Sequence, residues 1–93
     1  MSIRINNKEY SLGAVKARMF RKAIALTDSM DLENIKAKDL DDMVNFMVEA
    51  YGNQFTLDDV YDGMDSTILM TSLTECISEV VGGVTKKLES KND

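Results

Sequence analysis

The spacing of apolar residues changes once along this chain, near Gly13, and that change restricts the fold more than any other feature. Upstream, Ile3-Arg4-Ile5-Asn6-Asn7-Lys8-Glu9-Tyr10-Ser11-Leu12 alternates apolar and polar side chains around an Asn-Asn pair. Alternation sends successive side chains to opposite faces of a strand, and asparagine tolerates the positive φ of a two-residue turn. A β-hairpin is therefore predicted, with Ile3, Ile5, Tyr10 and Leu12 on one face. Two strands alone are marginal in water, so that face must lie against helices. Downstream, apolar residues recur at steps of three and four, the helical period. A chain of 93 residues buries about 60–65% of the surface its unfolded form exposes, enough for one core. The predicted fold is α+β, mainly α: an N-terminal β-hairpin packed on a small bundle of about four helices. A single domain is expected over residues 1–84, with a flexible tail over 85–93.

Within the helical part, Val15, Met19, Ala23, Leu26 and Met30 make one stripe of a helix read from Gly13 to about Met30. Ala17, Phe20 and Ile24 make a second stripe, with Arg18, Arg21 and Lys22 in the arc between the two. One core rarely needs both. Residues 28–39 read as a linker. Asp39 is expected to cap a second helix, with Asp41 and Asp42 in its first turn, where carboxylates meet the positive end of the helix dipole, and Leu40, Met43, Val44, Met47, Ala50 and Tyr51 facing inward. Gly52 suits the left-handed residue that closes it. Phe55-Thr56-Leu57-Asp58-Asp59-Val60 combines an N-cap threonine, a carboxylate three residues on, and an apolar pair placed as a staple. Gly63 ends this short helix and Asp65 caps a fourth, with Met64 and Leu69 in the equivalent staple positions. Leu69, Leu73, Cys76, Ile77, Val80 and Val84 then share an arc of roughly 100°, the width of a core-facing stripe. Gly82-Gly83 costs about 1 kcal/mol per glycine inside a helix, so fraying or an end is expected there.

Composition excludes whole classes of chemistry. The chain has no histidine, proline or tryptophan and one cysteine. Without histidine there is no Ser-His or Cys-His nucleophile pair, and one thiol makes neither a disulfide nor a Cys-rich zinc site. Asp58, Asp59, Asp62 and Asp65 surround Gly63, yet aligning Gly63 with the glycine of a calcium loop puts Val60 and Leu69 at ligand positions. These acids fit helix capping better, so no cofactor and no metal is expected, and no enzymatic activity. Cys76 shares the apolar arc of the last helix, the setting of an inert thiol. Six internal methionines suit an irregular core, with Met70 towards the edge of its helix's stripe. The longest apolar run is Ala23-Ile24-Ala25-Leu26, far short of the roughly 18 residues that cross a bilayer, and a cytosolic protein is expected.

The net charge of −5 argues against nucleic acid and anionic membrane surfaces, which recruit proteins through clustered Lys and Arg. It also conceals an asymmetry. Residues 28–65 carry eleven acidic side chains and two lysines, net −9, and the remainder of the chain sums to +4. Either Arg18, Arg21 and Lys22 pair with the acidic middle inside one molecule, or opposite patches attract between molecules.

The hairpin Ile3-Arg4-Ile5-Asn6-Asn7-Lys8-Glu9-Tyr10 and the segment Tyr51-Gly52-Asn53-Gln54-Phe55-Thr56-Leu57-Asp58-Asp59-Val60-Tyr61-Asp62-Gly63 together resemble the tail assembly chaperones of long-tailed phages (siphophages) and prophages of Gram-positive bacteria. The similarity spans residues 3–84 and rests on the order of an "I-x-I-N-x-K-x-Y" opening, a charged helix, an "F-T-x-D-D-x-Y-D-G" corner and a last apolar helix. It implies a non-enzymatic protein of the host bacterial cytoplasm that binds the tape measure protein, helps recruit tail tube subunits, and is absent from the mature virion. It also implies self-association into a homo-oligomer, and a longer frameshifted form whose extension would begin in residues 82–93.

The surplus stripe supplies the candidate partner-binding residues: Phe20 and Ile24, flanked by Arg18, Arg21 and Lys22. The competing expectation is a small acidic regulator or inhibitor protein of a mobile element that blocks a basic target.

Overall fold

A computed structural model of the chain describes the backbone of residues 2–31 and 33–92 and the side chains of 2–31 and 33–82. Strands β1 (Ser2–Ile5) and β2 (Lys8–Ser11) form an antiparallel pair, followed by helices α1 (Ala17–Ser29), α2 (Ala37–Ala50), α3 (Leu57–Gly63) and α4 (Ser66–Asn92). The fold is α+β, mainly α, with the predicted hairpin and four helices.

Asn6 and Asn7 both take positive φ, +52° and +66°, and close a two-residue turn in which Ile5 pairs with Lys8 and Ile3 with Tyr10. That register keeps Ile3 and Ile5 buried while Tyr10 and Leu12 are half-buried against the core. The first helix starts later than predicted. Residues 12–16 are non-helical, Lys16 is the N-cap, and Met19 and Ala23 are the buried members of the stripe, with Val15, Leu26 and Met30 packed at its margin. Gly13 is a poor helix former, and a few extended residues carry the chain from the hairpin to α1.

Asp39 is the third residue of α2 rather than its cap, so Asp39 is the acid of the first turn and Asp41 and Asp42 lie beyond it. The helix begins at Ala37, and the Asp39 carboxylate reaches back to accept from the Lys36 backbone N–H at 3.1 Å. A carboxylate satisfies an unpaired donor of the first turn equally well from either place. The far end of α2 closes as expected: Gly52 has φ +72°, its N–H donates to the Glu49 carbonyl, and the Asn53 N–H donates to the Val48 carbonyl, a Schellman arrangement. Thr56 caps α3 in a complete capping box, its hydroxyl accepting from the Asp59 N–H at 3.1 Å and the Asp59 carboxylate from the Thr56 N–H at 2.9 Å. Asp65 caps α4 by accepting from the backbone N–H and hydroxyl of Thr67.

The core lies around α2, which packs against α1, α3 and α4. That central position buries Phe46 and Val48 in addition to the inner face read from the sequence, because neighbours on three sides cover more than one stripe. Leu73, Cys76, Ile77 and Val80 of α4 complete the core with Met19, Met43, Met47 and Met64. The helix end expected at Gly82-Gly83 is absent, and α4 continues to Asn92. Packing of the preceding turns anchors the helix, and good helix formers such as Lys86, Lys87, Leu88 and Glu89 follow the glycines. Of the tail expected over 85–93, the backbone to Asn92 is helical; its side chains, and that of Val84, lie outside the described residues.

Candidate functional site

The two sides of α1 have different fates. Successive residues turn by about 100°, so Met19 and Ala23 face inward while Ala17, Arg21, Ile24 and Asp28 share the opposite face. Ile24 is 47% exposed, one of two large apolar side chains open to solvent among the described residues. Phe20, one turn before it, is half-buried. Arg18 and Arg21 are exposed and make no ion pair among the described residues.

Lys22 separates from the group predicted around it. It forms an ion pair with Glu49 of α2 across a cleft of about 340 Å³ lined by Arg21, Ala25, Leu26, Asp42 and Phe46. Of the three basic residues, one pairs with the acidic middle within the molecule and two do not. The other described ion pair, Lys38 with Asp42 at 3.2 Å, spans one turn of α2. A second cavity, of about 200 Å³, opens where α1, α2 and α4 meet; Met30, Met43 and Ile77 line it with Thr27, Thr74 and Ser78. Thr27 and Thr74 each donate their hydroxyl to a carbonyl of their own helix, leaving no unpaired hydroxyl proton at those positions.

The second exposed apolar side chain is Ile68, 45% exposed on α4. The sequence contained its signal, since Ile68 falls outside the arc shared by Leu69, Leu73, Cys76 and Ile77, but an isolated exposed isoleucine is ordinary on a surface.

The two segments that carry the family resemblance meet in space. The Asn6 N–H donates to the Gly63 carbonyl at 3.1 Å. Tyr10 packs edge-on against Phe55 with ring centres 4.8 Å apart, and Tyr51 follows at 5.6 Å. The Tyr61 hydroxyl donates to the Asp41 carboxylate at 2.5 Å. Burial, then this bond to a carboxylate, pushes the Tyr61 hydroxyl up to about 12. These residues join the hairpin to the α2–α3 corner and belong to the scaffold.

Cys76 is fully buried, and burial pushes its thiol up to about 12, so it is inert as a nucleophile at neutral pH. Tyr51 is 1% exposed, and its hydroxyl has no hydrogen-bond partner among the described residues. Burial first, then the nearby Cys76, Glu75 and Glu79, raise it to about 12 as well. Among the described residues no three acidic or cysteine side chains converge on a point where a metal ion could sit. No described helix is long and apolar enough to cross a membrane.

No curated protein and no solved structure matches the chain. A family model described as phage tail chaperone protein matches residues 2–93. With all but the first residue inside that match, the chain belongs to the phage tail chaperone protein family.

Proposed function

We propose that this protein acts in the host cytoplasm as a non-enzymatic tail assembly chaperone, holding the tape measure protein in solution and helping to recruit tail tube subunits without entering the finished virion. The observation that carries the reading is an exposed apolar side chain, Ile24, on a helix of a chain that matches the family along its whole described length. A chaperone for a long, aggregation-prone protein needs apolar surface that its own core does not consume, and the outer face of α1 supplies it beside Phe20, Arg18 and Arg21. Lys22 contributes less to such a face because Glu49 already holds it.

Coexpression with the tape measure protein tests this. The wild type should keep the tape measure protein in the supernatant, and the double variant Phe20→Asp, Ile24→Asp should leave it in the pellet while its own circular dichroism at the assay temperature stays that of the folded protein. Equal solubility with both would remove the outer face of α1 from the mechanism. Raising the salt concentration separates apolar capture, which persists, from recognition by the acidic face, which weakens as charges are screened.

A further inference from the structure

The cavity where α1, α2 and α4 meet has an apolar floor and a polar rim. Met43 and Ile77 are buried at its floor with half-buried Met30 beside them, and Thr27, Thr74 and Ser78 form the rim. Thr27 and Thr74 already donate to carbonyls of their own helices, so Ser78 holds the one rim hydroxyl with no hydrogen bond among the described residues. An ordered buried water needs about two to four polar partners, and this lining offers few. Water held so weakly is displaced with a gain when an apolar group enters.

Size narrows the class of occupant. At about 200 Å³ the cavity falls below the roughly 300–1,000 Å³ of pockets that enclose whole small molecules. An apolar cavity of about 150 Å³ nevertheless admits a benzene ring. One bulky side chain therefore fits, presented from outside by a larger body, and the flexible thioethers of Met30 and Met43 let the wall follow its shape.

Charge narrows it further. Thr74 and Ser78 also border a shallow recess on the exposed side of α4, whose other walls are Glu75 and Glu79. These two carboxylates are exposed, stand one helical turn apart and repel each other, and neither makes an ion pair among the described residues. Across the cavity, α1 ends at Met30 with no basic side chain in its last turn, which leaves the negative end of its dipole without a compensating charge. An ammonium or guanidinium group set beside the inserted side chain meets negative potential from both directions.

We infer that this cavity is a docking site for a basic amphipathic segment of another protein, which inserts one bulky apolar side chain between Met30, Met43 and Ile77 and lays a Lys or Arg one turn away against Glu75 and Glu79. A buried apolar anchor beside a charged neighbour is how an amphipathic helix engages a groove. The site shares no residue with the Phe20 and Ile24 face of α1 and does not rest on the reading of that face.

The chain contains no tryptophan, so a tryptophan in a probe reports binding by its own fluorescence. The probe is a helical alanine-based peptide of about 18 residues, long enough to hold helical structure, with one tryptophan and a lysine one turn to either side; a control peptide carries glutamate in place of both lysines. With the full chain at low salt, emission of the lysine peptide should move to the blue and saturate below about 1 mM. The glutamate peptide should bind about tenfold more weakly or worse, a difference that shrinks as salt rises. Thr74→Phe, which sets a ring at the cavity mouth from an exposed position, should weaken the lysine peptide about tenfold, and Glu75→Lys with Glu79→Lys should reverse the preference between the two peptides. No blue shift with the lysine peptide, equal binding of both peptides, or binding indifferent to both sets of variants overturns the inference. N-acetyltryptophanamide binding as tightly as the lysine peptide overturns it in favour of a free small molecule. Binding that Phe20→Asp, Ile24→Asp abolishes while the cavity variants leave it intact also overturns it, and leaves the chaperone reading standing with the peptide on the outer face of α1.

Discussion

Gly63 shows how a single residue can carry two meanings. In sequence it reads as the end of a short helix, which it is. In three dimensions its missing side chain matters more: a Cβ there would come within 2.7 Å of the Asn6 side chain and 2.8 Å of Ile5 Cγ2. Ile5 is 2% exposed and has no room to retreat. The backbone approach that this permits is what lets the Asn6 N–H reach the Gly63 carbonyl. Gly63→Ala should therefore destabilise the protein by about 1–3 kcal/mol, the range for forcing an extra methyl group into a packed site. Urea unfolding followed by circular dichroism would measure it, and a loss under about 0.5 kcal/mol, the level of an ordinary surface change, would show that the hairpin is only loosely held.

Among the elements, those with complete local signals were legible in the sequence and those without were not. The α3 start carries its own instructions, Thr56 and Asp59 satisfying each other's backbone donors and Phe55 and Val60 both buried in the same core. Thr56→Ala should cost about 1 kcal/mol, with a smaller loss for Thr56→Ser, which keeps the hydroxyl; thermal unfolding of the two variants would separate the cap from simple side-chain truncation. The α1 start has no such instruction, since Lys16 makes no side-chain cap, and the predicted boundary was several residues early. Gly82-Gly83 is the opposite case, a strong local break signal overridden because the helix before it is fixed by Leu73, Cys76, Ile77 and Val80.

The whole molecule adds a pH dependence that no single element shows. Tyr51 and Tyr61 lie on different elements, and both hydroxyls are raised from 10.0 to about 12, by burial in each case and for Tyr61 also by Asp41. The folded state holds these protons more tightly than the unfolded state does. Their stabilisation is thus complete below pH 10 and is lost as pH rises towards 12. Burial raises the Cys76 thiol from 9.0 to about 12 in the same sense, so urea midpoints should be flat up to about pH 8 and fall progressively above pH 9, and Tyr61→Phe should make the fall above pH 10 shallower; a midpoint constant to pH 11 would refute the assignment. On the acid side Asp65, held below its usual range by hydrogen bonds from Thr67, works in the opposite sense: what it contributes is present above the ordinary carboxylate range and disappears as pH falls through its folded value.

The sequence by itself determined the order and type of the elements, the turn at Asn6-Asn7, the Gly52 stop, the Thr56 and Asp65 caps, and which stripe of α1 would face the core. Each depends on interactions within a few residues, so each is written in the local pattern. Only the tertiary structure decided that α2 would be buried on several sides, that Lys22 would pair with Glu49 while Arg18 and Arg21 make no ion pair among the described residues, and that the two segments carrying the resemblance hold the hairpin to the corner. Those outcomes depend on which distant segments come together, because burial and ion pairing are properties of neighbours in space. The surplus stripe on α1 belongs to both levels: its apolar spacing was visible at once, and Ile24 is 47% exposed because no other element covers it among the described residues.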